Sequence, residues 1–211
     1  MNNIFHFDSP FMQKLLVVGN LAALNIVWLI CCLPIFTIGA ATTAMHSVIY
    51  KYILGTDDAV LQPFFNAFKQ NFKQATALWL PVLVLIILLG IDAFFLYTSA
   101  IGLEPLLWIP FAVVFVAFLM LMTYAFPLIA RYENDLRSTV KNCFMLFVLE
   151  LKKSIFVLIL NLLPWVMFFL WPDLYMKMLL LWLLYSGSAI SYWNDRVLLK
   201  IFEKRQAKQE E

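Results

Sequence analysis

Few residues in this chain have the types and spacing that chemistry requires. His6 and His46 lie far apart, and neither is accompanied by a set of carboxylates or thiolates at the spacing of a metal site. The sequence also lacks a nucleophile elbow, a phosphate-binding glycine loop, a dinucleotide fingerprint and a His-Glu-x-x-His helix. We therefore expect a protein that is not an enzyme and that uses neither a cofactor nor a metal ion.

Polar side chains inside long apolar segments are the next candidates. Asp92 lies within such a segment, and an ionisable group inside a membrane is a functional hypothesis because burying its charge costs several kcal/mol. Its position near one end of the segment favours an interfacial or helix-pairing role. Asn25 and Asn161 are amides in other apolar segments, where they either join neighbouring helices through hydrogen bonds or line a polar cavity.

The most charged internal stretch, residues 131–153, is the main candidate for recognition of a partner. Mixed charges between two spans can dock another protein or bind lipid headgroups. The same charges also serve as a topology signal, since cytoplasmic loops retain Lys and Arg, and this reading needs no partner. The residues proposed for recognition in this stretch are Arg131, Glu133, Asn134, Lys141 and Asn142.

Composition determines which solvent these segments need. The 211 residues are 64% hydrophobic and only 13% charged, whereas an ordinary soluble domain is about 25% charged. Lipid is the natural solvent for the excess apolar surface. The net charge of +2 is too small to indicate nucleic acid binding, and the three cysteines show neither a disulfide framework nor metal-ligand spacing.

The apolar pattern predicts an all-α fold, a polytopic transmembrane bundle of about six helices in one domain, residues 1–211. Pro34 separates the first two segments, and only five helices span if residues 37–54 do not cross the bilayer. Residues 57–74 have an amphipathic pattern that is typical of a helix at the membrane interface, as do parts of 131–153. The predicted spans are 11–33, 37–54, 75–97, 105–130, 154–171 and 178–199, and residues 172–177 are predicted to form a short turn.

The pattern of residues 57–130 recurs in 132–199, which suggests a parallel repeat. Lys and Arg are concentrated on one side of the predicted spans, so we expect the amphipathic segments and the end of the chain in the cytoplasm. Six spans place the start of the chain there too, whereas five place it outside.

Several motifs resemble the YesL family of small bacterial membrane proteins. They are Phe7-Asp8-Ser9-Pro10-Phe11-Met12, Cys32-Leu33-Pro34, Ile38-Gly39-Ala40-Ala41-Thr42-Thr43-Ala44 and Arg131-Tyr132-Glu133-Asn134. The resemblance implies a bacterial cell membrane protein with a domain of unknown function, and it brings no catalytic or cofactor-binding residues.

Members of the YesL family are often encoded beside sugar-uptake ATP-binding-cassette (ABC) transporters and polysaccharide-degrading enzymes. The resemblance therefore implies a non-catalytic accessory or sensing role in carbohydrate uptake, with the lipid bilayer and transporter permease subunits as partners. The alternative is a small-solute permease in its own right. Close helix packing also permits a homo-oligomer.

Overall fold

The computed structural model describes residues 10–56, 59–99, 104–132 and 135–210, and these form helices joined by short links, with no strand among them. The predicted all-α bundle is confirmed. The helices are α1 (Pro10–Cys32), α2 (Ile38–Ile53), α3 (Leu61–Ser99), α4 (Glu104–Met120), α5 (Phe126–Arg131), α6 (Leu136–Leu149), α7 (Leu151–Leu170), α8 (Pro172–Lys177) and α9 (Leu179–Glu210).

Helix α2 is the central element, because most of its side chains are buried on all sides. Pro34 ends α1, as the sequence predicts, and a short 3₁₀ turn, Ile35–Thr37, leads into α2. Small residues at the start of α2 let α3 approach closely: a Cβ on Gly39 would lie 2.8 Å from both the Ala75 carbonyl oxygen and the Trp79 Cβ. Only glycine fits at this position without a shift of the α3 backbone.

Helix α3 differs from the prediction. The sequence predicts a surface helix over 57–74 and a separate span from residue 75, but the structure has one continuous helix, Leu61–Ser99, so the predicted boundary is wrong. Helix α3 contains two prolines. Pro63 lies in the first turn, where its missing N–H has little consequence, and Pro81 lies in the interior. The apolar face of the first half packs on α2 through Phe64, which is fully buried.

The predicted span 105–130 is one nearly continuous helical rod, formed by α4, a π-helical turn at Leu121–Ala125, and α5. Pro127 accounts for the π turn, because it has no N–H to offer the Thr123 carbonyl one turn earlier and its ring would clash with that carbonyl. The turn places Tyr124 in the core, where its hydroxyl hydrogen-bonds the Ser154 Oγ of α7 at 2.6 Å.

Asp135 caps the N-terminus of α6, since its side chain accepts a hydrogen bond from the Ser138 backbone N–H. Hydrogen bonding from Ser138 lowers the pKa of the Asp135 carboxyl below its usual value. The predicted short turn at 172–177 is instead a short helix, α8. Helix α9 continues well past residue 199, where the sequence placed the end of the last span.

Three helices in the described part of the chain are long and apolar enough to cross a membrane by length and composition. These segments are Leu15–Cys32, Leu61–Phe94 and Ile109–Arg131. The polytopic membrane class rests on these three. The spans at 37–54, 154–171 and 178–199 and the parallel repeat of 57–130 in 132–199 remain predictions.

Candidate functional site

A buried histidine–aspartate pair joins α2 to α9. His46 Nδ1 lies 2.8 Å from Asp195 Oδ1 and 2.9 Å from Oδ2, across 149 residues of sequence. The Asp195 side chain is fully buried and that of His46 is 6% exposed. An ionised carboxylate can only accept hydrogen bonds, so opposite an ionised Asp195 the His46 Nδ1 is the ring nitrogen that carries the hydrogen and donates it.

Tyr50 and Arg131 extend this pair towards α5. Tyr50 lies one turn after His46, and its buried hydroxyl is close to the Asp195 carboxylate. Within the described residues, that hydroxyl makes no hydrogen bond of acceptable geometry. The Arg131 guanidinium lies 5.8 Å from the centre of the Tyr50 ring, within cation–π range. We refer to His46, Tyr50, Arg131 and Asp195 as the polar cluster.

The polar cluster has the chemistry of a structural lock, by which we mean a buried polar contact that holds two helices in one arrangement. A buried ion pair contributes little net stability, but removal of one partner leaves an uncompensated polar group at a cost of about 3–5 kcal/mol. The pair therefore fixes how α2 and α9 face each other. No group of three or more potential metal ligands occurs in the part of the chain that the structure describes.

The Asn25 amide performs a similar task between α1 and α9. Its Nδ2 donates to the Leu183 carbonyl at 2.7 Å, and its Oδ1 accepts from the Ser188 N–H at 2.8 Å. Gly187 makes room for this contact, since a Cβ there would lie 2.7 Å from the Asn25 Oδ1. The sequence allowed two roles for Asn25, a hydrogen bond between neighbouring helices or the lining of a polar cavity, and these contacts support the first.

Asn161 joins α7 to α9 beside the polar cluster. Its Oδ1 accepts from Asn194 Nδ2 at 3.1 Å, and its own Nδ2 donates to the Val157 carbonyl one turn earlier in α7. Asn194 directly precedes Asp195, so α9 presents neighbouring polar side chains to α7 and α2. The Asn194 Oδ1 is buried and finds no hydrogen-bond donor among the described residues.

The other candidate residues do not assemble with these. Asp92 is exposed on the second half of α3, because the described helices leave that part of α3 largely uncovered. Lys141 is exposed and Asn142 is half-buried, both on α6. Glu133 and Asn134 lie outside the described residues. The structure thus links Arg131 to the polar cluster and joins Asn25 and Asn161 to α9, while the functional roles of all these residues remain predictions.

Sequence reasoning missed His46, Tyr50 and Asp195 as a set. A usable signal was present: His46 and Asp195 are ionisable residues of complementary type in two different predicted spans, 37–54 and 178–199. Such residues inside a membrane bundle are expected to pair with each other. The local pattern could not show this pairing, because nothing in either segment identifies the other.

The fold and these interhelical locks define the class: an α-helical membrane protein whose interior polar groups hold the bundle together. Residues 21–93 match the family described as "Protein of unknown function, DUF624". The matched region runs from α1 into α3 and includes His46 and Tyr50.

Two relatives come from Bacillus subtilis (strain 168). "Uncharacterized protein YteU" is 29% identical over 186 residues, which cover 85% of this chain and 79% of the relative. "Uncharacterized protein YesL" is 26% identical over 149 residues, 69% of this chain and 66% of the relative. No solved structure matches the chain. These matches confirm the resemblance to the YesL family that the motifs indicated.

Proposed function

We propose that this protein is a non-catalytic component of the bacterial cell membrane that assists or senses carbohydrate uptake by an ABC transporter. The gene neighbourhoods of the YesL family motivate the choice of partner, the permease subunits. One observation supports a role in neither catalysis nor transport: the buried polar side chains are engaged in hydrogen bonds between helices. Asn25, Asn161 and Asp195 each bond to another helix, so these polar groups hold the bundle together and leave few free to line a solute path.

The exposed apolar surface supports an arrangement inside a larger membrane assembly. Phe169 on α7 and Leu180 on α9 are 75% and 70% exposed. A surface of this kind faces lipid or another membrane protein. The lock between α2 and α9 gives a bound partner a way to act on the bundle, since a shift of α9 would change the packing of the polar cluster.

Photo-crosslinking in native membranes tests the proposal. A photoreactive amino acid replaces Phe169 or Leu180 in the full chain, in cells grown on a plant polysaccharide or on glucose, and the crosslinked proteins are identified by mass spectrometry. We expect permease subunits, enriched in cells grown on polysaccharide. The matched control replaces Leu24, which is 2% exposed and should reach only its own chain.

Recovery of only a second copy of the chain at both positions, on both carbon sources, would contradict the accessory role and indicate a homo-oligomer. If permease subunits crosslink to only one of the two positions, the interface lies on the helix that carries that position.

The proposed topology, with the end of α9 in the cytoplasm, follows from the concentration of Lys and Arg on that side.

A permease acting alone is the second candidate. It is favoured by the Asn194 Oδ1, a buried polar atom that lacks a hydrogen-bond donor among the described residues, and by the buried Tyr50 hydroxyl, which lies close to the Asp195 carboxylate but makes no hydrogen bond of acceptable geometry. A polar path through a bundle would present such atoms to a solute. The test is sugar flux into liposomes that contain only this protein, with Asn161→Ala and the exposed-site variant Asp92→Ala for comparison. Absence of flux for every sugar tested eliminates this candidate.

A further inference from the structure

Helix α6 has a second apolar face that none of the described helices covers. Its inner face buries Thr139, Cys143 and Leu146 against the bundle. The outer side exposes large apolar side chains, and Phe144 is 62% exposed. A helix whose outer face meets water carries polar residues on that face. The exposed apolar residues of this outer face are Val140, Phe144, Met145, Val148 and Leu149.

Basic side chains accompany this apolar face. Arg137 precedes it, Lys141 lies between Val140 and Phe144, and Lys152 follows at the start of α7; all three are exposed. Exposed apolar residues accompanied by Lys and Arg are the pattern of a helix that lies in a membrane interface. The complementary charge is the phosphate of an anionic lipid headgroup.

The outer face of α6 is followed along the chain by exposed apolar residues of α7. Helix α7 begins two residues after α6 ends, and it exposes Leu151, Ile155 and Ile159. The predicted span 154–171 includes Ile155 and Ile159, so we expect these two side chains to contact acyl chains.

We propose that α6 is a binding site for anionic phospholipids. Its apolar centre enters the boundary between headgroups and acyl chains, while Arg137, Lys141 and Lys152 contact lipid phosphates. This inference stands apart from the proposed role in carbohydrate uptake, because it needs no protein partner.

The test uses the full chain in lipid nanodiscs, with phosphatidylcholine alone or with added phosphatidylglycerol. A spin label at Phe144→Cys, with Cys31 and Cys32 replaced by Ala, reports depth through its exposure to oxygen and to a water-soluble nickel complex. Met145→Cys provides a second labelling site if the first variant does not fold. We expect both labels to be accessible to oxygen and shielded from nickel.

The second measurement is the amount of phosphatidylglycerol retained by the purified protein. Arg137→Gln combined with Lys141→Gln should weaken retention by roughly 25-fold, at about fivefold for each charge removed near the surface. The control is Lys69→Gln combined with Lys73→Gln, a second pair of exposed basic residues four positions apart, on α3, and it should reduce retention by much less than the α6 pair.

Labels that are open to nickel in both kinds of nanodisc would overturn the membrane position of α6. Shielded labels with equal lipid retention in the α6 variant and its α3 control would overturn the anionic site. In that case the helix would be held by its apolar face alone.

Discussion

The pairing of His46 with Asp195 makes a quantitative prediction for the stability of the bundle. Replacing Asp195 with Leu leaves the His46 N–H buried without its acceptor, and replacing His46 with Leu leaves the carboxylate without its donor. Each change should lower the free energy of unfolding by about 3–5 kcal/mol. Asp195→Asn keeps an acceptor oxygen but removes the charge-assisted bond, and should cost about 1–2 kcal/mol.

The double variant His46→Leu/Asp195→Leu distinguishes a paired lock from two independent contacts. Exchange of a whole buried ion pair for apolar residues is often neutral or stabilising. We therefore expect the double variant to recover at least about 3 kcal/mol relative to the sum of the two single changes. Asp92→Asn is the matched control, an exposed carboxyl whose loss should change stability by less than about 0.5 kcal/mol.

Equilibrium unfolding in mixed micelles of dodecyl maltoside and SDS, followed by tryptophan fluorescence, measures these free energies. The chain contains seven tryptophans, which give the signal. Two results would refute the lock between α2 and α9. One is an Asp195→Leu protein as stable as the Asp92→Asn control, and the other is strict additivity of the two single changes in the double variant.

Four further predictions use the same protein. Asn25→Ala breaks two hydrogen bonds to α9 and should lower the free energy of unfolding by about 1–3 kcal/mol in the same assay. Asn161→Ala breaks one hydrogen bond to α9 and should cost only about 0.6 kcal/mol. Equal losses would contradict the assignment of Asn25 as the stronger contact between α1 and α9. Gly39→Ala places a Cβ 2.8 Å from backbone and should cost about 1–3 kcal/mol, whereas Gly90→Ala, with nothing within 4 Å, should gain about 0.5–1 kcal/mol. Burial raises the pKa of the Cys143 thiol to about 12, so at pH 8 only ~1 in 10⁴ of these thiols is the reactive thiolate; mass spectrometry should find Cys143 unmodified by iodoacetamide in the folded protein and alkylated after unfolding. We expect the start and the end of the chain to lie together in the cytoplasm. Fluorescent-protein fusions at both ends should therefore fluoresce, and alkaline phosphatase fusions there should be inactive. Opposite results at the two ends would show that they lie on opposite sides of the membrane.

The helices were predictable because their signals are local. Pro34 ends α1 and the small residues after it begin α2, both as the sequence indicates. The continuity of α3 was not predictable in this way. Its exposed residues change from polar ones such as Lys69 and Lys73 to apolar ones such as Val84, and this change resembles a boundary between elements. A helix can pass from one environment into another without a break in its backbone.

The length of α3 supports this explanation. Its 39 residues extend about 58 Å at 1.5 Å per residue, nearly twice the hydrocarbon core of about 30 Å. Even a strong tilt leaves part of the helix outside the core. The exposed lysines of the first half identify that half as the part that projects.

The candidate site was only partly predictable, for a different reason. Asn25 and Asn161 were recognisable from sequence because an amide inside an apolar segment needs a partner. The pair formed by His46 and Asp195 depends on how α2 and α9 come together across 149 residues, which local periodicity does not encode. Asp92, the acid that the sequence pattern singled out for its place in an apolar segment, is exposed, since that half of α3 is left uncovered.

The contacts of α1, α2 and α9 also bear on the side of the membrane at which each begins or ends. Helices α1 and α2 form an antiparallel hairpin: the Trp28 indole N–H donates to Thr42 near the closed end, while Leu24 packs with Val48 further along. The start of α1 and the end of α2 therefore lie on the same side, however deeply α2 enters the bilayer.

Helix α9 runs in the same direction as α2. Gly187 lies against Trp28 of α1, which contacts Thr42 near the start of α2. Asp195 lies beside His46 and Tyr50, towards the end of α2. The end of α9 thus emerges on the side where α1 begins. Sequence reasoning made the location of the chain start depend on whether residues 37–54 span. The hairpin removes that dependence for the start of α1, and the concentration of Lys and Arg near the end of α9 predicts that the shared side is cytoplasmic.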